Sequence, residues 1–71
     1  MIKNRLQELR KNWHGKGLTL AQLAMKIGIS RSYICKIEQN RRAPSSKVMF
    51  RLAKFFNCGV EEMFFDDSNN G

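Results

Sequence analysis

Seventy-one residues hold one domain and no second core, and a 42% hydrophobic content with a single proline reads as a folded chain with few residues left for loops. No apolar run is long enough to cross a bilayer, and residues 1–6 alternate charged and apolar side chains in a way that fits neither a signal peptide nor a lipidation site, so a cytoplasmic location without a membrane partner is expected. The net charge of +7 conceals a division: all 13 Lys and Arg fall between Lys3 and Lys54, whereas Glu61, Glu62, Asp66 and Asp67 supply four of the six acids. A basic body with an acidic end suits a domain that binds a polyanion and turns one end away from it.

In chain order, Ile2, Leu6, Leu9 and Trp13 fall on one stripe of a first helix, which must stop at the loop holding Gly15 and Gly17 because glycine is a poor helix former. Thr19 followed by Gln22 is a capping box and opens a second helix with Leu20, Leu23, Ala24 and Ile27 on one face. Gly28 ends it by supplying the left-handed conformation that helix termini commonly require. Ser30 caps a third helix whose inner face is Ile34 and Ile37, which turns Arg31, Ser32, Cys35 and Lys36 largely outward.

A basic turn follows, with Asn40 where a positive φ is expected, and Pro44 and Ser45 open a fourth helix. Val48, Leu52, Phe55 and Phe56, flanked by Met49 and Ala53, make this the most apolar helix, and Asn57 closes it. Residues 60–65 read as a short fifth helix with Glu61 and Glu62 in its first turn, where the macrodipole favours anions. Residues 66–71 read as a polar tail, leaving a domain over residues 1–65. No strand alternation appears, so the fold class expected is all-α.

Catalytic and metal chemistry find no residues to carry them. Cys35 and Cys58 lie 23 positions apart without a CxxC, and His14 is the only histidine, so a zinc site lacks its ligands and the thiols are expected to be reduced. No nucleophile comes with a base, no carboxylates pair in an apolar setting, and no phosphate-binding loop is present. No enzyme, cofactor or small-molecule ligand is therefore expected.

The informative unit runs over residues 20–37. Two helices crossing steeply over a short turn must approach closely at one point, and Ala24 is small enough to stand there. Gly28 permits the turn, Ile29 plugs the gap beneath it, and Leu23, Ile27, Ile34 and Ile37 anchor both helices to the rest. A generic helical bundle needs neither this register nor an acid-free outer face on the following helix.

With those residues in place, the segment resembles the Cro/CI-type helix-turn-helix family of phage repressors and bacterial regulators, the XRE family. The matching residues are Leu9-Arg10, Gly17-Leu18-Thr19, Leu23-Ala24, Ile27-Gly28-Ile29-Ser30, Ile34, Ile37-Glu38, Pro44-Ser45, Leu52-Ala53 and Glu62-Met63-Phe64. The resemblance implies a compact five-helix, lambda-repressor-like domain that places the third helix, residues 30–38, in the DNA major groove and binds as a two-fold homodimer. It implies that Arg31, Ser32 and Lys36 face base edges, where Arg31 or Lys36 can donate to guanine O6 and N7. It further implies phosphate contacts from Thr19, Ser30, Tyr33, Asn40, Arg41 and Arg42, and a structural pair between Arg10 and Glu38 that ties the first helix to the end of the third.

The chain departs from the family in two places. Leu20 stands where the family often has a Gln that touches a phosphate, and offers only its backbone N–H. The first loop is longer than usual; in it Trp13 is expected to pack and Lys16 to be a solvated charge.

Val60, Met63, Phe64 and Phe65 put more apolar surface at the end of the chain than one short helix can bury, so a self-associating patch is expected there, with closure of the core as the alternative; Met1 and Ile2 can join it as a short strand. The function expected is a sequence-specific transcriptional regulator, a repressor on an inverted-repeat operator in double-stranded DNA. The alternative is an antitoxin-like module that binds a partner protein first and DNA secondarily, although only a short polar tail is present to serve as the added toxin-binding segment.

Overall fold

Three helices begin where a side-chain hydroxyl accepts from an orphan backbone N–H. Thr19 Oγ1 accepts from Gln22 N at 3.0 Å while Gln22 Oε1 accepts from Thr19 N at 2.9 Å, and this capping box opens α2 (Leu20–Ile27). Ser30 Oγ accepts from Tyr33 N at 3.0 Å ahead of α3 (Arg31–Glu38), and Ser45 Oγ from Val48 N at 3.3 Å ahead of α4 (Ser46–Phe55). The computed structural model describes residues 2–66, and its remaining elements are β1 (Ile2–Asn4), α1 (Leu6–Asn12), a 3-10 turn (Trp13–Gly15), α5 (Val60–Met63) and β2 (Phe64–Asp66). The domain is all-α in class, five helices around one core, with a two-stranded ribbon joining its ends.

Helix ends follow the same economy of local bonds. Gly28 stands at φ 83° and its N–H reaches Ala24 O at 2.8 Å, with Ile29 N on the same carbonyl at 3.2 Å. Asn40 (φ 59°) and Asn57 (φ 58°) end α3 and α4 in the same manner. Arg41 N donates to Lys36 O and Cys58 N to Ala53 O, the reach of a Schellman motif. The first loop folds back on α1, with Gly17 N on Trp13 O at 2.8 Å and Leu18 N on Arg10 O at 2.9 Å. A side chain at Gly17 would meet the Lys11 carbonyl oxygen at 2.6 Å, so this close approach admits only glycine.

The core is drawn from every helix: Leu6, Leu23, Ile34, Ile37, Leu52 and Met63 are its fully buried large side chains. Each is worth roughly 1.5–3 kcal/mol relative to exposure. Ala24 is buried and Ile29 packs against the core, as expected of the close-approach residue and the plug. Trp13 packs as expected, stacked on Phe55 at 5.7 Å between centroids, with Lys26 Nζ 5.6 Å from its ring. Lys16 is exposed.

The two ends of the chain depart from the expected helices. Ile2 does not extend the first helix; it lies in β1, which pairs antiparallel with β2 in the register Ile2 to Asp66, Lys3 to Phe65 and Asn4 to Phe64. Met1 lies outside the described residues. The fifth helix stops at Met63, and Phe64 turns to extended backbone at φ −118° and ψ 121°. A four-residue helix gains few internal bonds, whereas two aromatic residues suit a strand, and pairing with β1 satisfies backbone groups that another helical turn would leave to solvent. Asp66, expected in the tail, closes this ribbon; the tail beyond it lies outside the described residues.

Both cysteines are free thiols, half-buried. Burial, with Glu62 and Glu61 nearby, pushes the Cys58 thiol above its usual range and holds it protonated at neutral pH. Among the described residues no helix is long and apolar enough to cross a membrane and no acidic, cysteine and histidine side chains cluster as a metal site would require.

Candidate nucleic-acid interface

Two faces of α3 have opposite fates. Ile34 and Ile37 are fully buried against the other helices, so the turn-by-turn geometry leaves Arg31, Ser32 and Lys36 exposed on the far side, where none of the described residues covers them. Its position is fixed first by α2, the helix with which it packs most extensively, through the turn at Gly28.

The one acid on α3 is kept from opposing an anion. Arg10 Nε lies 2.6 Å from Glu38 Oε2 and its second terminal nitrogen donates to Oε1 at 3.0 Å, a bidentate pair with side chains only 10% and 6% exposed. A third bond runs from Arg10 to Leu18 O at 2.8 Å. The pair therefore ties α1, the first loop and the end of α3 together, as the family resemblance implies, and it cancels the Glu38 charge inside the protein.

The expected phosphate-contacting residues stand at helix ends. Thr19 and Ser30 precede α2 and α3, both exposed and both using hydroxyl oxygens to cap those helices, which leaves their O–H hydrogens available to donate. Asn40, Arg41 and Arg42 are exposed on the turn after α3. Tyr33 is held more tightly than its sequence position discloses: its hydroxyl accepts from Ser45 N at 3.3 Å and its ring lies 4.9 Å from the Arg42 guanidinium carbon. The hydroxyl hydrogen stays available, while the ring props Arg42 over it.

Two residues of this region escape sequence reasoning. Asn4 Nδ2 donates to Ile37 O at 2.8 Å and to Asn40 Oδ1 at 3.0 Å, carrying the ribbon to the end of α3. Arg51, on α4, donates to Ile27 O at 3.4 Å near the turn between α2 and α3. An Asn just ahead of a helix signals a cap, and Asn4 does cap Leu6 N at 3.0 Å, but no local signal announces its second task 33 residues away.

The four residues expected to form a self-associating patch divide. Met63 at 0% and Phe64 at 8% exposure are enclosed in the core, because the switch from helix to strand at Phe64 turns both inward, and they have no surface to offer. Val60 and Phe65 are half-buried, and Phe50, at 71% exposure, stands beside Val60 instead. These two border an open groove of about 770 Å³ between α4 and α5, with Ala53, Cys58 and Gly59 along it and Arg51, Lys54 and Glu61 as charged members.

A model of the helix-turn-helix family matches residues 6–63, from the start of α1 to the end of α5. The chain belongs to the XRE helix-turn-helix family. It is a DNA-binding transcriptional regulator, and relatives carry the same description. An uncharacterized HTH-type transcriptional regulator of Methanocaldococcus jannaschii is 40% identical over 63 residues, covering 89% of this chain and 91% of the relative. The HTH-type transcriptional regulator SinR of Bacillus subtilis is 31% identical over 64 residues, or 89% of this chain and 55% of SinR. The HTH-type transcriptional activator BcrR of Enterococcus faecalis is 34% identical over 62 residues, 87% of this chain but 29% of BcrR.

Proposed function

We propose that the protein is a sequence-specific repressor that binds an inverted-repeat operator as a homodimer, with α3 of each protomer in the major groove. Arg31, Ser32 and Lys36 read base edges; Thr19, Ser30, Tyr33, Asn40, Arg41 and Arg42 hold the phosphates on either side. The observation that carries this reading is the division of α3: two fully buried isoleucines inside, three exposed donors outside, and its one acid neutralised by Arg10. Such a face attracts a polyanion and offers hydrogen-bond donors in fixed positions to its bases.

Dimerisation draws support from the apolar surface at Phe50 and Val60, which sits on α4 and α5 away from α3 and so leaves the reading helices free. Repression needs nothing beyond occupancy of the operator. The activator BcrR shares with this chain a segment amounting to 29% of its own length.

Selection of bound duplexes from a random pool tests the proposal. Winning sites are expected to be palindromic, with half-sites one helical turn, roughly 34 Å, apart. Enrichment of no sequence at all, with equal affinity for random duplexes, would overturn the specific reading; enrichment of a single unrepeated half-site would overturn the dimer.

A further inference from the structure

The side-chain amide of Asn4 is oriented from two sides. Its Oδ1 meets the Leu6 backbone N–H at 3.0 Å, a group that only donates, and its Nδ2 meets the Ile37 carbonyl at 2.8 Å, a group that only accepts. One orientation of the amide satisfies both. The second hydrogen on Nδ2 is directed at the Asn40 side chain, 3.0 Å away. An NH2 group cannot accept, so the Asn40 atom facing it has to be Oδ1. The NH2 end of Asn40 then points elsewhere, and among the described residues it donates to nothing.

This arrangement has little freedom to relax. Asn4 is half-buried at the end of β1, across the ribbon from the buried Phe64, and Arg5 beside it is tied to Met63 O at 2.9 Å. Asn40 is held at φ 59° with its N–H on Ile37 O at 3.0 Å, so the same carbonyl receives Asn40 from the backbone and Asn4 from the ribbon.

We infer that Asn4 is a positioning residue for DNA binding: by engaging the oxygen of Asn40 it turns the Asn40 NH2 outward, the only end of that amide from which a phosphate oxygen can accept. The inference rests on the phosphate contact proposed for Asn40. It gives the ribbon a role beyond closing the core, since the polarity of two backbone groups, Leu6 N–H and Ile37 C=O, passes through Asn4 to decide what Asn40 offers to DNA.

A double-mutant cycle tests it, with Asn4→Ala, Asn40→Ala and the pair compared on a selected duplex across a salt series, alongside thermal unfolding of each variant. Each single change is expected to weaken binding by up to roughly tenfold, and the double no more than Asn40→Ala alone. The salt dependence should stay unchanged, since neither residue is charged. Additive losses would overturn the inference and leave the Asn40 contact standing; an Asn40→Ala variant that binds like wild type would overturn that contact and the inference with it. Asn4→Asp keeps an acceptor for Leu6 N–H while removing the donor, and is expected to lose at least as much affinity as Asn4→Ala; full affinity in Asn4→Asp would also overturn the inference. In wild-type protein labelled with 15N, the Asn40 NH2 resonances should move when duplex is added, and their indifference to DNA would contradict the outward orientation without recourse to any variant.

Discussion

The side of the molecule built from α2, the turn at Gly28 and α3 and the side where β1 and β2 join the chain ends are held by contacts of different range. On the first, Thr19 bonds Gln22, Ser30 bonds Tyr33 and Asn40 bonds Ile37, all three residues apart. On the second, Ile2 pairs with Asp66, Arg5 bonds Met63, and Asn4 reaches Ile37 and Asn40. The surface of α2 and α3 is thus shaped by neighbours in sequence, but its placement in the domain depends on groups from the far ends of the chain. Short-range bonds fix the shape of the reading unit; long-range ones fix where it points.

The largest expected effect comes from the long-range side. Phe64→Ala should cost about 3–5 kcal/mol in urea unfolding, because it empties a buried ring site and weakens the ribbon at once. Phe50→Ala, on the neighbouring exposed face, should change monomer stability by less than about 0.5 kcal/mol and instead lower self-association in sedimentation. Equal destabilisation by the two would erase the distinction between core closure and interface. Next, Glu38→Ala leaves Arg10 buried without its carboxylate and should cost about 3 kcal/mol, since this pair links α1 to the end of α3. A thermal unfolding curve close to that of wild type would show that the link is dispensable.

Smaller effects separate reading from gripping. Arg31→Ala should lower affinity for the selected site by roughly 1–3 kcal/mol and relax preference at one base pair. Arg41→Ala should weaken all DNA alike and reduce the slope of log affinity against log salt by about 0.9. Equal action of both on operator and random duplex would refute the assignment of α3. The smallest change compares two equivalent helix ends: Asn40→Gly and Asn57→Gly should each alter stability by less than about 0.5 kcal/mol, because glycine suits the left-handed site, yet only Asn40→Gly should weaken DNA binding in a titration.

The same difference in range explains what could be read from the amino-acid order. The caps at Thr19, Ser30 and Ser45, the left-handed Gly28, Asn40 and Asn57, and the small Ala24 declare themselves because each acts within a few residues of its own position. The inward face of Ile34 and Ile37 follows from helical period, and with it the outward face of Arg31, Ser32 and Lys36. The pairing of Arg10 with Glu38 was legible through the family pattern, whereas the ribbon was at most half legible. Two three-residue strands have no room for an alternation to register, so Phe64 and Phe65 read as one more helical turn, and Met63 and Phe64, both enclosed in the core, were expected on a self-associating patch with core closure as the alternative. The stack of Trp13 on Phe55, the brace from Arg51 to Ile27 and the second task of Asn4 are matters of distance in space that no spacing along the chain encodes.

The antiparallel pairing of β1 with β2 also sets how the domain yields to force. Ile2 and Asp66 face each other at the outer rim of the ribbon, with Asn4 and Phe64 at its inner rim. Tension applied by pulling the termini apart loads the outermost rung first and peels the strands one bond at a time, a low-resistance unzipping instead of a concerted shear. The inner rung is the last to part, and when it goes the tether between Asn4 and the end of α3 goes with it, so mechanical strain at the extremities is carried to the surface proposed to meet DNA.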